Sequence, residues 1–508
     1  MAALHPEGRA GRPVWGSRLE RGPHAGSLRY TSGWDVRSRP AADLRLAEHD
    51  LDTNAAHLAM LASTGILDRA DAGRIAAALL DLRDAPPEAL LLEDCEDIHM
   101  SVEALLTRSA GPAAGAIHTA RSRNDQVATD IRLWLRGETI GFGQGAARLA
   151  LAIAAHAREN ANLVCPGFTH AQPAMLSTWG HWTASWLAPV ARLVKRATAL
   201  LAELDECPLG AAAGFGTSWP IDRAFTAKLL GFSSPTRHSF EGTATRGELE
   251  ARFAMLAAEL LGQLSRTAQD LVFASSPPRE WVRLPDSFVT GSSIMPNKRN
   301  PDVAEVTLGR TALARGYVEA LLGSVGMLPG GYNRGLQWTK YVLFDAADNF
   351  EGAAEVFADL LMELETRPEP MRAACSVGFL EAADLADRIS SRDRLPFRTV
   401  YKFVGEAVRR CDPAGRFDRA SIDAVLAESG VAPLRDEDWA WLCDPDALVA
   451  SRDQHGSPAP KRVLESVDAL TQSVKADAAL LLREQERIAA ARESLWERIA
   501  ALSANPAS

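Results

Sequence analysis

Apolar side chains recur along most of this chain with the three- and four-residue spacing of α-helices. The clearest stripe, within residues 246–275, consists of Leu249, Phe253, Leu256, Leu260, Leu264 and Leu271. This spacing places all six side chains on one face of a long helix. Residues 181–206, 302–327 and 340–366 show the same pattern. Because helices of this length must bury their apolar faces side by side, the pattern predicts an all-α bundle.

Shorter and less regular elements are expected to flank the long helices. The first ~120 residues show the pattern of short helices with loops, and helices shorten again after residue 371, with a turn-rich connector at residues 453–462. Alternating strand patterns are almost absent, although short β segments are expected near residues 163–168 and 207–220. The first ~28 residues, rich in Arg, Gly and Pro, are expected to be mobile.

Composition is typical of a globular protein and argues against several function classes. The 508 residues are 47% hydrophobic and 24% charged, and a formal net charge of −10 gives no reason to expect a nucleic-acid partner. No apolar run reaches the ~18 residues that a membrane span requires, and the N-terminus lacks the apolar segment of a secretory signal. The six scattered cysteines form no CxxC pair, which favours reduced thiols in a cytoplasmic protein over disulfides or zinc.

Four polar segments interrupt the apolar pattern, each at a helix end or between helices. They are EDIHMSVE (96–103), HTARSRNDQVATDIRLWLR (118–136), CPGFTHAQPAMLSTWGH (165–181) and GSSIMPNKRNPD (291–302). In the second segment, Ser122 or Asn124 is expected to cap the following helix. Arg121, Arg123 and Asn124 would then surround free backbone N–H groups, which suits a carboxylate or phosphate. An ordinary capped helix with solvated arginines fits the same residues.

The fourth segment contains two hydroxyls and two cations in a short polar stretch. Asn300 and Pro301 are expected to be the N-cap and first residue of the next helix, which would hold Lys298 and Asn300 at its start. Ser292 and Ser293 lie on the flexible lead-in. A plain surface loop followed by a helix cap explains the same pattern.

Histidines in the first and third segments are candidates for proton transfer or ligation. His170 is either a satisfied buried histidine or an acid, base or relay, since imidazole titrates near neutrality. Asp97 and His99 have a spacing that suits a metal, but no third ligand at metal spacing accompanies them, so no metal is expected. Cations and a hydroxyl loop together suit a substrate with several carboxylates. A base near a lysine and helix dipoles suits removal of a proton beside a carboxylate.

Together these segments resemble the motifs of the fumarase/aspartase superfamily, and within it most closely those of the argininosuccinate lyase family. GSSIMPNKRNPD is similar to the signature G-S-S-x-M-P-x-K-x-N, and EDIH, RSRNDQVATD, PGFTHAQ and LPGGYNR all occur. The resemblance implies a three-domain all-α fold: an N-terminal domain (1–121), a central long-helix bundle with the signature loop at about 287–301 (122–370), and a C-terminal domain (371–508). It also implies a homotetramer around a core of about 20 helices, with each active site built from three subunits.

The resemblance also assigns roles to individual residues. The implied catalytic set is Ser292, His170, Thr169, Glu305 and Lys298. Ser292 would be the base on a closing loop, and His170, paired with Glu305, the acid or acid relay on the leaving-group side. Lys298 and Asn300 would hold and polarise the succinyl carboxylate. The remaining implied substrate-binding residues are Ser122, Arg123, Asn124, Ser293, Tyr332, Gln337, Lys340, Asp97 and His99.

The implied reaction is a β-elimination that converts argininosuccinate to fumarate and arginine, as in arginine biosynthesis. Loss of a C–H proton beside a carboxylate gives a doubly charged aci-carboxylate, which requires preorganised cations and donors. The C–N bond then breaks and the amine takes up a proton. A serine needs an activating, water-excluding site to act as a base, which loop closure can supply. No cofactor is required.

Several positions depart from the family pattern. Ala120 replaces a glycine, and since alanine tolerates positive φ poorly, the turn is expected to differ. Gly335, Trp338 and Thr339 replace acidic residues beside those expected to hold the arginine half of the substrate. A related lyase that releases fumarate from a different N-succinyl amine is therefore the alternative. A third possibility is a tetramer that has lost catalysis and serves only as a binding or structural protein. The intact set of implied catalytic residues argues against it.

Overall fold

The computed structural model describes Gly26 and residues 41–93 and 95–504. Except for Gly26, the segment that was expected to be mobile, the first ~28 residues, lies outside the described residues. The described part of the chain is predominantly helical, with only three two-stranded β pairings. The prediction of an all-α fold is therefore confirmed.

Three helices precede the long bundle: α1 (Ala47–Ser63), α2 (Arg69–Arg83) and α3 (Ile98–Ala110). Aspartate side chains set the start of two of them. Asp68 accepts a hydrogen bond from the Asp71 N–H at 2.9 Å, and Asp97 accepts one from the Met100 N–H at 2.8 Å. Each carboxylate satisfies a backbone donor that has no partner within its own helix.

The long helices α4, α5, α8, α9 and α18 lie in the remainder of the chain, joined by shorter ones. In chain order the helices are α4 (Arg123–Glu159), α5 (Trp179–Glu203), α6 (Arg223–Leu229), α7 (Ser239–Ala244), α8 (Glu248–Ser275), α9 (Asp302–Gly326), α10 (Thr339–Phe350), α11 (Ala353–Glu363), α12 (Pro368–Ala374), α13 (Ala382–Asp393), α14 (Phe397–Cys411), α15 (Arg419–Glu428), α16 (Asp436–Leu442), α17 (Pro445–Ser451) and α18 (Pro460–Ala504). The helix pairs α4/α5, α8/α9, α4/α18 and α5/α18 pack extensively and enclose the main hydrophobic core.

The strands are short and lie at the periphery of the bundle. They are β1 (Val164–Thr169), β2 (Gln172–Thr178), β3 (Glu206–Cys207), β4 (Ser234–Pro235), β5 (Val282–Arg283) and β6 (Glu365–Thr366). β1 and β2 form an antiparallel hairpin, in agreement with the β segment expected near residues 163–168. The segment expected at 207–220 is wrong for most of its length, because only Cys207 is in a strand and glycine-rich turns follow.

Two helix predictions need correction. Residues 340–366 form two helices rather than one, because the chain turns at Gly352, whose φ of +73° is left-handed. Helices do shorten after residue 371, but α18 then runs for 45 residues and packs against α4 and α5. The predicted helices at 181–206, 246–275 and 302–327 are confirmed as α5, α8 and α9.

Helices α13 to α17 enclose a second core, separate from that of the bundle. Its buried side chains include Leu385, Val400 and Leu448, and the hairpin residues Val164 and Leu176 join it. The hairpin is thus held between the bundle and this second cluster. The domain division at residues 121 and 370 stays a prediction.

Helices α8 and α9 run antiparallel, which fixes what lies at each end of α9. Thr311 donates a hydrogen bond to the Leu261 carbonyl at 3.0 Å, and Leu321 packs with Ala251 and Ala254. The start of α8 therefore lies beside the end of α9. With 25 residues, α9 separates its two ends by about 37 Å, at 1.5 Å per residue.

Candidate active site

A cavity of about 330 Å³ lies where the starts of α3 and α4 meet the chain after α9. Seven of the predicted substrate-binding residues line it: Asp97, His99, Arg123, Asn124, Tyr332, Gln337 and Lys340. These residues come from three motifs that are far apart in the sequence. The fold therefore brings EDIH, RSRND and the YNR segment to one place.

Helix α4 begins at the cavity wall with a reciprocal cap. The Ser122 hydroxyl accepts from the Asn124 N–H at 3.3 Å, and Asp125 accepts from the Ser122 N–H at 3.0 Å. Ser122 is therefore the N-cap, one of the two predicted possibilities, whereas Asn124 lies inside the helix. The second Asp125 oxygen accepts from the Gly210 and Ala212 N–H groups, which anchors this helix start.

Ion pairs hold most of the cations that line the cavity. Arg123 donates to Asp97 at 2.6 Å and also lies 3.5 Å from Glu103. Lys340 pairs with Asp43, and Arg334 pairs with Glu96. Acidic and basic groups thus alternate around the cavity, which suits a zwitterionic substrate better than a simple anion.

Arg246 is a cavity residue that sequence reasoning missed. It precedes α8 and is only 7% exposed, and burial lowers the pKa of its guanidinium. Its Nε and Nη2 have no hydrogen-bond partner among the described residues. An arginine just before a Glu-rich helix start is common on surfaces, so no signal in the sequence distinguishes it.

Two buried carboxylates contact the imidazole of His99. Its Nδ1 lies 2.8 Å from Asp50 on α1 and 3.2 Å from Asp130 on α4. Burial lowers the His99 pKa, but the two carboxylates outweigh burial and raise the pKa to about 10. His99 is therefore an imidazolium at neutral pH, and its Nε2 has no partner in the described part of the chain.

The same three groups form a cluster whose ligand atoms lie within 4.8 Å of one another. Sequence spacing found no third ligand near His99, because Asp50 and Asp130 come from other helices. Asp50 already accepts hydrogen bonds from Gln126 at 2.5 Å and Asn54 at 3.0 Å, besides its contact with His99. Because hydrogen-bond donors already surround Asp50, the cluster is better suited to hold the His99 imidazolium than to bind a metal cation.

The signature loop lies at the other end of α9. A backbone pairing between Thr290 and Asn300 closes the loop, and Arg299 anchors its base by donating to the Leu284 carbonyl at 2.6 Å. The predicted N-cap at Asn300 is wrong. Pro301 is the N-cap of α9, and the Asn300 amide instead donates to the Gly291 carbonyl at 3.2 Å.

The loop presents its predicted catalytic groups to solvent. The Ser292 hydroxyl accepts from the Met295 N–H at 3.2 Å, in a local turn. Lys298 and Ser293 are exposed, and Ile294 at the tip is 82% exposed. The cavity at the starts of α3 and α4 is lined by other segments, so Ser292 does not face it within its own chain.

Thr169 and His170 lie at the exposed tip of the β1–β2 hairpin. His170 and Ala171 both have positive φ, +54° and +59°. This is the geometry of a type I′ turn, which non-glycine residues adopt at a cost. Glu305 is exposed in the first turn of α9, and no hydrogen bond or ion pair joins it to His170 within the described residues.

One chain therefore separates the predicted site residues into groups. The cavity lies at the C-terminal end of α9, about 37 Å along the helix from the signature loop. The hairpin follows the C-terminal end of α4, about 55 Å along that helix from Asn124 at its start. Residues of all three groups cannot meet one substrate within one subunit.

The surface of α9 is unusually apolar for an exposed helix. Leu308, Leu313 and Leu322 are 45%, 56% and 49% exposed, and the exposed Gly309, Gly316 and Gly323 lie on the same helix. A run of exposed apolar and small residues on one long helix is typical of a protein–protein interface.

The structure also shows where the residues that differ from the family pattern lie. Ala120 has a φ of +63°, so the turn keeps a left-handed residue even without glycine, contrary to the expected change. Gly335, Trp338 and Thr339 do not line the cavity, although Gln337 and Lys340 between and beside them do. Thr339 is fully buried and donates to the Leu336 carbonyl.

Known proteins resemble this chain over most of its length. A family model described as lyase matches residues 36–316. Argininosuccinate lyases from Hyphomonas neptunium and Halorhodospira halophila are each 38% identical, over 90% and 89% of this chain and 97% and 96% of their own lengths. The chain belongs to the fumarase/aspartase superfamily of lyases. Within it, these curated relatives are all argininosuccinate lyases, at 36–38% identity.

Solved structures show the same fold. An EDDS lyase in complex with formate is 25% identical, with a TM-score of 0.85 over 96% of this chain and 97% of that chain. A fumarate lyase from Mesorhizobium has a TM-score of 0.70 at 18% identity, which covers 92% of this chain and 100% of that chain. Among the described residues, no helix is both long and apolar enough to cross a membrane.

Proposed function

We propose that the protein is an argininosuccinate lyase, which cleaves argininosuccinate to fumarate and arginine without a cofactor. The supporting observation is the cavity, which three family motifs line with Asp97, His99, Arg123, Asn124, Tyr332, Gln337 and Lys340. The curated relatives named argininosuccinate lyase, similar over about 90% of this chain, support the same activity.

In the proposed mechanism, Ser292 removes the proton beside the succinyl carboxylate as the signature loop closes. Lys298 and Asn300 stabilise the charge that develops on that carboxylate. His170, with Thr169 and supported by Glu305, delivers a proton to the leaving nitrogen. Ser122, Arg123, Asn124, Ser293 and the cavity residues hold the rest of the substrate, with Asp97 and His99 fixing the wall. Loop closure excludes water and so raises the basicity of Ser292.

We also propose that the enzyme is a homotetramer whose sites each combine three subunits. The separation of the signature loop from the cavity by the length of α9 supports this arrangement, since one chain cannot unite them. The apolar surface of α9, with Leu308 and Leu313 exposed, supports helix-to-helix assembly. The six free cysteines agree with a cytoplasmic enzyme.

The first experiment follows fumarate by its ultraviolet absorbance, with argininosuccinate as substrate. We expect release of fumarate and arginine by the wild type and none by Ser292→Ala. Ser451→Ala is the matched control, because the Ser451 hydroxyl donates to the Leu448 carbonyl within α17 and Ser451 does not line the cavity. Native mass spectrometry checks that each variant assembles. No release from an intact wild-type assembly would overturn argininosuccinate as the substrate.

Mixing inactive variants tests the shared site. Asn124→Ala alters the cavity wall and Ser292→Ala alters the loop, so each homo-oligomer should be inactive. Hybrids formed by dissociation and reassembly should regain activity, because some sites then contain neither substitution. Activity that stays absent in proven hybrids would contradict sites built from several subunits.

The alternative is a lyase that releases fumarate from a different N-succinyl amine. The fold match to an EDDS lyase favours it, whereas Gly335, Trp338 and Thr339 lie outside the cavity of this chain. A panel of amines incubated with fumarate, run in the addition direction, distinguishes the two. Preferred addition of an amine other than arginine would support the alternative.

A further inference from the structure

Arg246 differs from the other cations of the cavity in lacking an anionic partner. Arg123, Arg334 and Lys340 each form an ion pair with a carboxylate. For Arg246, no carboxylate oxygen accepts from Nε or Nη2 among residues 41–93 and 95–504. Arg246 is 7% exposed and both nitrogens are closed to water. A carboxylate therefore reaches them only when the Arg246 side chain turns into the cavity that it lines.

No acidic neighbour among the described residues forms an ion pair with Arg246. The charge of Glu250 acts on Arg246, but one Glu250 carboxylate oxygen accepts from the Gly247 N–H at 2.8 Å. Asp43 pairs with Lys340 instead. A buried charge without a partner is strongly destabilising, so a protein that keeps one gains something when an anion binds.

The two unpartnered nitrogens specify the kind of anion. Nε and Nη2 form one edge of the planar guanidinium and donate two parallel hydrogen bonds. That edge matches the two oxygens of a carboxylate, whereas a lysine ammonium offers no such fork. Arg246 lines the same cavity as Gln337 and Lys340, which are expected to hold the arginine half of the substrate. The carboxylate at Arg246 therefore belongs to that half.

We propose that Arg246 binds the α-carboxylate of the leaving amino acid through its Nε–Nη2 edge, and thereby selects amines that are amino acids. This inference rests on the proposed lyase function and names one specificity-determining residue in it. The paired cations of the cavity then serve to position the acidic groups around the remaining, positively charged part of the amine.

The test runs the reaction in the addition direction with fumarate and either arginine or agmatine. Agmatine is arginine without its carboxylate, so the two amines differ only in the group that Arg246 is proposed to bind. We expect the wild type to favour arginine by about 100-fold in kcat/KM, the order that a buried charge pair supplies. Arg246→Met should remove that preference by lowering kcat/KM for arginine, with agmatine and the fumarate KM little changed.

Arg246→Lys and Arg132→Lys form a matched pair. Arg132 is also buried and close to Glu250, but it donates to the Glu206 carbonyl at 2.6 Å and does not line the cavity. Arg246→Lys keeps the charge and loses the fork, so most of the arginine preference should disappear. Arg132→Lys should retain the preference, even if it unfolds at a lower temperature.

Thermal unfolding gives a readout that does not depend on turnover. Without ligand, Arg246→Met should unfold at a higher temperature than the wild type, because an unpaired buried charge is removed. Arginine should raise the unfolding temperature of the wild type but not of Arg246→Met, and agmatine should raise neither. A merely structural arginine would lower the unfolding temperature when removed.

Each of the other outcomes would overturn a specific part of the proposal. Equal use of arginine and agmatine by the wild type, or a loss confined to the fumarate KM in Arg246→Met, would refute the proposed role of Arg246. Equal losses for both amines together with a lower unfolding temperature would assign Arg246 a structural role. Arg246-dependent stabilisation by arginine without any fumarate chemistry would overturn the proposed lyase function and leave the carboxylate site standing.

Discussion

Arg123 donates a hydrogen bond to Asp97 at 2.6 Å, which ties the first turn of α4 to the N-cap of α3 at the cavity wall. Asp97 therefore has two roles, since it also caps α3 through the Met100 N–H. Replacement by asparagine would preserve the cap, because asparagine is as good an N-cap as aspartate. We expect Asp97→Asn to raise KM about 10-fold through a loosened Arg123, with stability changed by less than about 1 kcal/mol.

Asp68→Asn provides the control for that substitution. Asp68 caps α2 with nearly the same geometry, 2.9 Å to the Asp71 N–H, and does not line the cavity. The KM of this control should equal that of the wild type. Steady-state kinetics and urea unfolding of both variants separate the two roles. Equal kinetic effects in both variants would mean that the Asp97–Arg123 contact does not position substrate.

Trp338 occupies a position where the family has an acidic residue, but its side chain does not line the cavity. It is 69% exposed and packs edge-on against Tyr341 with ring centroids 5.4 Å apart. We expect Trp338→Glu to change kcat/KM for argininosuccinate by less than about 3-fold and stability by less than about 0.5 kcal/mol, as for other exposed positions. A tenfold gain would show that residue 338 meets the substrate in the assembled enzyme.

Two buried histidines, His57 and His156, and the partly buried His49 should make the protein sensitive to acid. Burial lowers the pKa values of His49 and His156 to about 4 and that of His57 to about 3. In the unfolded chain each titrates near a pKa of about 6.5, so below that pH the unfolded state binds more protons than the folded state. Their stabilisation is thus fully present above about pH 6.5 and is lost as the pH falls towards 4, by about 2–3 kcal/mol per histidine at about pH 4.5.

His57→Gln tests this pH dependence. His57 lies 2.9 Å from the Thr119 carbonyl, and a glutamine can donate to the same oxygen without titrating. Urea unfolding at about pH 7.5, 6.5, 5.5 and 4.5 should show a flatter profile for the variant than for the wild type. Parallel profiles would mean that His57 already takes up its proton in the folded protein.

Gly180 is required by close packing at the start of α5. A Cβ there would lie 2.5 Å from the Ala157 carbonyl oxygen and 2.6 Å from the Ala161 backbone nitrogen, neither of which can move easily. We expect Gly180→Ala to destabilise the protein by about 1–3 kcal/mol. Gly262→Ala, inside α8 with open space around it, should instead stabilise by about 0.5–1 kcal/mol. Denaturant unfolding measures both, and equal shifts would contradict the packing argument.

Helices α5, α8 and α9 could be predicted because each carries its own apolar stripe, as α8 does from Leu249 to Leu271. The 45-residue α18 was not predicted. The break at Gly352 could not be predicted, because periodicity continues on both sides of a single left-handed residue. Seven residues of the cavity wall, Asn124 and Tyr332 among them, could be named as substrate-binding candidates from recognisable motifs. Asp50 and Asp130 were not predicted, because their role comes from tertiary contacts with His99. Arg246 was not predicted, because the sequence does not show that its guanidinium lacks a hydrogen-bond partner in the fold.

The 25-residue length of α9 has an evolutionary consequence for the proposed assembly. The helix fixes the distance between the signature loop, which it contributes to one active site, and the cavity, which it contributes to another. Insertion of a single residue would shift one end by about 1.5 Å and rotate it by about 100° relative to the other. Insertions and deletions among relatives should therefore occur in surface loops and be absent from this helix. Substitutions of its exposed side chains should be tolerated, because they leave its length unchanged.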